Sequence, residues 1–327
     1  MAATDAHLAP ASDCVPDAEL LTTAERRAQG AAAVRVTSAL LLLMAAIWGV
    51  NFSVVKYGTQ SMPALAYNGL RVVLAAVTLM LIAWLAREPW PTRRVTLALL
   101  GLGVLGNGLY QIFFIEGIAR TRAGSAALVL AATPAFIALT GRALGVERVS
   151  RRGWAGIALQ LLGMSLVVIV GARATAGAPG GSTLAGNLLM LGGALCWALF
   201  TVLLKRHTHA VHPLQLSALT MVGGAVPLVI VSASSMLTVD WGSVTPGVWA
   251  AVMYSGLCAL VIAYLLWYRG VRVLGPTRTA MFGNLQPIIA LLVAWAWPTL
   301  REMPTLWQGA GAVLIVSGLL MSRGPST

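Results

Sequence analysis

Gly117-Ile118-Ala119-Arg120-Thr121-Arg122 opens a stretch that runs to Glu147 and decides the fold. A basic turn leads into a nearly uncharged apolar run with Thr133-Pro134 at its centre, and the run closes on Arg142, Glu147 and Arg148. A looser copy follows in the second half of the chain. There, Gly270-Val271-Arg272 passes through Gly275-Pro276-Thr277 and an apolar run holding Gln286-Pro287, and ends at Arg301-Glu302. Pro134 and Pro287 lie 153 positions apart, and Trp48 and Trp197 lie 149 apart. A shared offset reads as two halves of one design.

Composition sets the solvent. The 327 residues are 58% hydrophobic and 10% charged, with mean hydropathy +0.82, whereas a soluble chain carries roughly 25% charged residues. From residue 36 onward the apolar residues fall into ten blocks, approximately 37–57, 67–86, 95–116, 123–144, 153–172, 184–204, 214–236, 247–268, 276–298 and 305–322. Each is near the ~20 residues that cross the hydrocarbon core as a helix. An isolated strand in lipid would leave its backbone groups unpaired, so the expected fold is an all-α polytopic membrane protein with ten transmembrane helices. Short connections leave no room for a second soluble domain.

The net charge of +12 suggests a nucleic-acid partner at first sight. Residues 1–35, however, hold five of the ten acidic residues against Arg26, Arg27 and Arg35, and the remaining basic residues sit mostly between apolar blocks. That is membrane-topology charge, so no nucleic-acid binding is expected and the lipid bilayer is the partner. With the connections placed on alternating sides, one side receives 16 of the 22 basic residues and the other receives Arg120, Arg122, Arg173 and Arg301. The positive-inside rule then puts both termini in the cytoplasm. Residues 1–35 lack the basic start and apolar centre of a signal peptide and read as a disordered cytoplasmic tail.

The ten blocks divide in the linker Gly177-Ala178-Pro179-Gly180-Gly181, giving repeats over 36–176 and 182–322 and a short tail over 323–327. Five is an odd number, so the second repeat enters the membrane from the opposite side. Inverted repeats of this kind let a transporter alternate its access about a site near the midplane.

These residues resemble the drug/metabolite transporter superfamily, specifically the bacterial EamA-type ten-helix carriers. The resemblance rests on Trp48-Gly49-Val50-Asn51-Phe52, Asn68-Gly69-Leu70-Arg71, Gly117–Thr121, Ala131-Ala132-Thr133-Pro134 and Gly145-Val146-Glu147-Arg148 in the first half. In the second half it rests on Cys196-Trp197-Ala198, Tyr264-Leu265-Leu266-Trp267-Tyr268, Gly275-Pro276-Thr277 and Gln286-Pro287. It covers residues 36–322 and implies secondary transport across the inner membrane, commonly efflux of amino acids or other small metabolites. The second half departs from the pattern, with 15 positions rather than 13 between its proline and its glutamate. The ninth helix is expected to end early at Pro298, because a helix interior tolerates proline poorly.

Three charges lie inside or at the ends of the blocks: Lys56, Arg71 and Glu116. Intramembrane charge is costly and marks a functional suspect. Arg71 has the guanidinium geometry that suits a carboxylate substrate, with an ion pair to Glu116 as the structural alternative. Lys56 reads as a snorkelling side chain. Glu116 is the acidic residue within the first nine blocks and the candidate for proton coupling, with an i,i+4 pair to Arg120 as its alternative.

At mid-depth the polar groups are neutral. By helix rise, Trp48, Asn107, Thr133, Asn284 and Gln286 fall near the centre, and Asn51, Tyr110, Gln111 and Trp197 about a turn away. Together they outline a substrate cavity, with Pro134 and Pro287 as hinges that each free a backbone carbonyl. Trp90, Trp241, Trp249, Trp267 and Tyr268 read as interfacial belt residues.

Gly101-Leu102-Gly103-Val104-Leu105-Gly106 imitates a dinucleotide fingerprint but lies inside a span without a preceding strand. His207-Thr208-His209-Ala210-Val211-His212 has no nearby carboxylate or thiolate to complete a metal site. Cys196 and Cys258 read as small hydrophobes. No cofactor, metal or catalytic set is expected. The alternatives to an exporter are an uptake carrier for the same solutes, a membrane-embedded lipid-modifying enzyme and a sensor without transport.

Overall fold

The computed structural model describes residues 23–87, 89–145, 149–174, 181–208, 210–274, 279–280 and 282–322, with the side chains of residues 23–30, Asn284 and Ser322 excepted. The expected tails at 1–22 and 323–327, Glu147-Arg148, the linker 177–180, His209 and Gly275-Pro276-Thr277 lie outside the described residues.

Among the described residues the chain forms ten helical rods. They are α1 (Thr23–Ser61), α2 (Ala64–Leu85), α3 (Arg93–Ala119), α4 (Ala123–Ala143), α5 (Arg151–Ala174), α6 (Leu184–Leu204), α7 (Pro213–Leu237), α8 (Pro246–Leu274), α9 (Gln286–Ala296) and α10 (Leu306–Ser322). The first eight contain stretches long and apolar enough to cross a membrane, while α9 and α10 are shorter and apolar. The protein is a polytopic all-α membrane fold.

Residues 23–35 belong to α1, so the expected tail is helical from Thr23 onward. Ala, Glu, Arg and Gln in this segment are strong helix formers. Extending an existing helix also needs no new nucleus, and this is what the tail reading left out.

Local chemistry sets the ends. Ser150 and Thr183 cap α5 and α6 by accepting from the Gly153 and Gly186 amides at 3.1 and 3.0 Å, satisfying donors that a helix start leaves open. Pro213 and Pro246 open α7 and α8, where the missing N–H is harmless. Gly145, with φ +68°, stops α4 in the left-handed conformation that glycine adopts freely. Helix α9 ends at Ala296, and Trp297 before Pro298 is extended as expected.

The contacts carry the repeat symmetry. Exchanging each helix of the first half with its counterpart five helices later turns the α3–α6 contact into α8–α1, α7–α3 into α2–α8, and α1–α9 into α6–α4. The pairs α2–α7, α4–α9 and α5–α10 map onto themselves. This is the pattern of a two-fold axis relating the two halves. Two pairs of irregularities obey it too, although the π-helical stretch of α5 at Leu166–Gly171 has no counterpart in α10. Helix α3 widens to a π-helical stretch at Val104–Leu109 and α8 at Tyr254–Ile262. Helix α4 breaks at Ala132 before Thr133-Pro134, and a 3-10 turn at Gly283–Leu285 precedes Gln286-Pro287. Both prolines therefore begin a new helical segment, where they cost little.

Helices α3 and α7 come backbone to backbone. A Cβ on Gly103 would meet the Thr220 carbonyl, and one on Gly223 would meet the Leu100 carbonyl. Small residues at such a crossing substitute for the hydrophobic drive that lipid does not supply.

Candidate substrate cavity

A cavity opens between the two halves, leaving about 100 Å³ for the centres of water-sized molecules. A single water needs roughly 10–15 Å³ on this measure, so the space admits a small organic solute. Its wall comes from α1–α4, α6, α8 and the α9 approach, while α5, α7 and α10 contribute none of its described lining. Helices α5 and α10 instead pack on each other at the side.

Of the residues expected at the site, Trp48, Asn51, Arg71, Tyr110, Gln111, Thr133, Pro134, Trp197 and Gln286 line this cavity. Asn107 does not. It is fully buried where α3 meets Gly224 of α7, and its side-chain amide makes no hydrogen bond among the described residues. Pro287 is buried behind the wall. The Asn284 side chain lies outside the described set, although its backbone belongs to the 3-10 turn.

One end of the cavity is built around Arg71, which is 1% exposed. Its Nε donates to Asn68 Oδ1 at 2.8 Å, one Nη to Ser255 Oγ at 2.9 Å and the other to Gln111 Oε1 at 2.5 Å. The Ser255 hydroxyl donates onward to Asn51 Oδ1 at 2.8 Å, and Asn68 Nδ2 donates to the Gln111 carbonyl at 3.1 Å. The guanidinium carbon also lies 5.3 Å from the centre of the Phe114 ring, a cation–π distance. Four helices thus hold one cation with neutral groups alone. No acidic side chain occurs among the described lining residues.

The other end is aromatic. Trp48 and Trp197, equivalent positions in the two repeats, meet edge to face with ring centres 6.3 Å apart. Tyr264 and Trp267 close on both, at 5.6–5.9 Å, and Tyr110 lies 5.0 Å from Trp197. The Trp48 Nε1–H donates to the Ala259 carbonyl within the π-helical stretch of α8, at 2.9 Å.

Trp267 and Tyr268, expected at the membrane interface, are buried, and Trp267 faces the cavity. Composition alone treats every tryptophan near a helix end alike, whereas α8 continues to Leu274 and carries both residues inside the bundle. Trp90, Trp241 and Trp249 are exposed, and the last two stack on each other. Asn68 was noticed only within the motif that carries the resemblance and Ser255 not at all, and neither was expected at the site. Asn68 precedes Arg71 by three positions, the spacing that places two side chains on one helix face, and that was the available signal.

The three charged candidates separate. Among the described residues Arg71 has no carboxylate partner, because Glu116 pairs with Arg120 and does not line the cavity. Lys56 is buried rather than snorkelling, and its Nζ donates to the carbonyls of Ile118 and Ala119 at the end of α3, each at 3.1 Å. Lysine at a helix C-terminus meets both orphan carbonyls and the negative pole of the helix. Close by, the carboxylate of Glu302 accepts from the amides of Ala123 and Gly124 at the start of α4, at 3.0 and 3.3 Å, with Arg122 at 3.8 Å. The two extra residues of the second repeat fall in the turn before it, where Arg301 takes φ +42°. At this end of the bundle both charges sit on helix termini.

The sequence matches the EamA-like transporter family over residues 36–169 and 184–324. A transporter of Bacillus subtilis strain 168, named YyaM and uncharacterised, is 27% identical over 87% of this chain and 92% of its own. A Salmonella typhimurium protein named a "probable amino-acid metabolite efflux pump" is 30% identical over 86% of this chain and 93% of its own. A crystal structure superposes with a TM-score of 0.60 over 87% of this chain and 98% of its own at 20% identity, which supports the fold. With both repeats matched and a cavity between them, the chain belongs to the EamA-like transporter family, within the drug/metabolite transporters.

Proposed function

We propose that this protein is a secondary active transporter that exports amino acids or similar small metabolites across the inner membrane by alternating access. The carrying observation is the cavity between the two halves, with a desolvated cation at one end and an aromatic cluster at the other. In an inverted repeat such a site can be exposed to either side by rocking one half against the other. The relative named an amino-acid metabolite efflux pump supports both the solute class and the direction.

Both termini face the cytoplasm in this reading, following the basic residues, and the α3–α4 end with Lys56 and Glu302 faces outward. Uphill export draws on an ion gradient. No carboxylate is found among the described lining residues, so proton coupling through a carboxylate would act from the α3–α4 end, where Glu116 sits. A Glu116→Gln variant that kept its full dependence on a pH gradient would remove that residue from the role. The test of the whole reading is a metabolite screen in proteoliposomes under an imposed pH gradient or membrane potential. Export predicts saturable flux of amino-acid-like solutes, and no flux of any solute under either gradient overturns it.

A further inference from the structure

We propose that the groove between α2 and α7 holds one anionic phospholipid, with an acyl chain along α2 and its phosphate among Arg87, Arg93 and Arg94. Such a site is independent of the transport reading, and testing it needs no flux.

The groove is apolar. Val77, Met80, Leu81 and Trp84 of α2 form one wall, and Trp90 of the α2–α3 connection and Val222 of α7 complete it, around a space of about 490 Å³. Val77, Leu81 and Trp84 recur at i, i+4 and i+7, so they make one stripe along the helix, and all three are exposed. At 1.5 Å per residue the stripe is about 10 Å long, which suits a segment of acyl chain and gives a polar solute nothing to bond. On the first turn of α7, Gln215 Nε2 donates to the Pro89 carbonyl at 2.8 Å, fixing the connection beside α7 and Trp90 on the groove. Trp84 and Trp90 mark that end as the headgroup level, where the amphipathic indole settles.

The same end is positively charged. Residues 87–94 carry Arg87, Arg93 and Arg94 against Glu88 alone. Arg87 follows Trp84 by three positions, Arg93 follows Trp90 by three, and all three arginines are exposed. Each stands where the backbone disfavours it. Arg87 takes φ +52° just past the end of α2, a conformation that glycine adopts at less cost. Arg93 and Arg94 open α3, where the positive pole of the helix repels a cation and the first turn holds no acidic side chain. A general excess of basic residues on one side of the membrane asks for none of these positions, whereas a phosphate offsets all three. A second copy of the chain fits the groove less well, because a two-fold axis along the membrane normal would set these arginines against their equivalents.

The test is native mass spectrometry of the full chain in neutral detergent, titrated with dioleoylphosphatidylglycerol or dioleoylphosphatidylcholine. The two lipids share their chains and differ in net charge. One arginine near an anionic headgroup is worth about 5-fold in affinity. Three arginines against Glu88 should therefore favour phosphatidylglycerol about 25-fold. Arg87→Gly and Arg93→Gln should each lower its affinity about 5-fold and leave phosphatidylcholine unchanged. Both exchanges relieve a local conflict with the backbone, so the fold should withstand them. Val77→Trp fills the groove beneath the arginines and should weaken both lipids. Arg151→Gln, at the matching place in α5 but outside the groove, should change nothing. Equal affinities for the two lipids, or an equal loss with Arg151→Gln, would overturn the site and leave only a general surface charge. A dimer mass that Val77→Trp abolishes would also overturn it, assigning the groove to a second copy.

Discussion

The hydroxyl of Thr133 donates to the Leu130 carbonyl at 2.5 Å, and that carbonyl is the one Pro134 leaves without a helical amide. In the second repeat the equivalent carbonyl, Gly283, is taken by the backbone amide of Gln286 within the 3-10 turn. Both prolines thus break their helices, and both breaks are repaired before any substrate arrives. Thr133→Val removes the repair in the first half, and an unmet buried acceptor costs about 1–3 kcal/mol. The variant should unfold at lower temperature than the parent in detergent, and Thr133→Ser should recover most of the loss. Equal stability of all three would show that the hydroxyl is dispensable.

The α3–α7 crossing makes a sharper contrast within one helix. A Cβ at Gly103 would strike the Thr220 backbone carbonyl, whereas a Cβ at Gly101 meets nothing within 4 Å. Overpacking against backbone costs about 1–3 kcal/mol, so Gly103→Ala should lower the unfolding temperature. Gly101→Ala should hold it or raise it, since alanine favours helix over glycine by about 1 kcal/mol. Thermal unfolding of the two variants side by side decides the matter, and equal losses would mean that the close approach does not exist.

How much of this was legible in the sequence follows from the range of each signal. Ten helices, the repeat offset and the stop at Pro298 are written in local patterns of hydropathy and proline, and the structure has them. Trp48, Thr133 and Gln286 fell near one depth by helix rise alone, with Trp197 about a turn away, and the four do share a cavity. Rise gives depth without rotation, and so Asn107, expected at mid-depth, faces α7 instead of the cavity. Charge was the hardest to read. The Glu116–Arg120 pair was legible as an i,i+4 spacing, but Lys56 and Arg71 take most of their partners from other helices or helix ends, and no spacing within a span reveals a group presented by a neighbour.

Lys56 offers a direct check of that last point. A snorkelling lysine reaches water, and its replacement costs little. A buried ammonium on two helix-end carbonyls contributes charge-assisted hydrogen bonds, each on the order of 1.5–3 kcal/mol. Lys56→Met, similar in length and uncharged, should therefore destabilise the protein by about that amount in equilibrium unfolding. Because the group is shielded from ions, the difference should persist in 1 M salt, where the Debye length falls to about 3 Å. A loss that vanished with salt would place the ammonium at the surface.

Glu302 ties the second half to the first by setting its carboxylate on the amides that begin α4, beside Arg122 and close enough to act on Lys56. On the alternating-access reading proposed above, this contact opens once in each cycle, so its strength sets how often that end is exposed. Glu302→Gln keeps the shape and removes the charge from the positive pole of α4, a loss of about 0.3–2 kcal/mol. The population of the open state should then rise about 2- to 30-fold. Ala126, buried one turn into α4, is the reporter. With Cys14, Cys196 and Cys258 replaced by serine, a cysteine introduced by Ala126→Cys should react with a polar maleimide faster in the Glu302→Gln background by that factor. An unchanged rate would mean that the carboxylate does not hold this end shut, and the closure would then rest on the neighbouring Ser125, Ser182 and Gln308 hydrogen bonds.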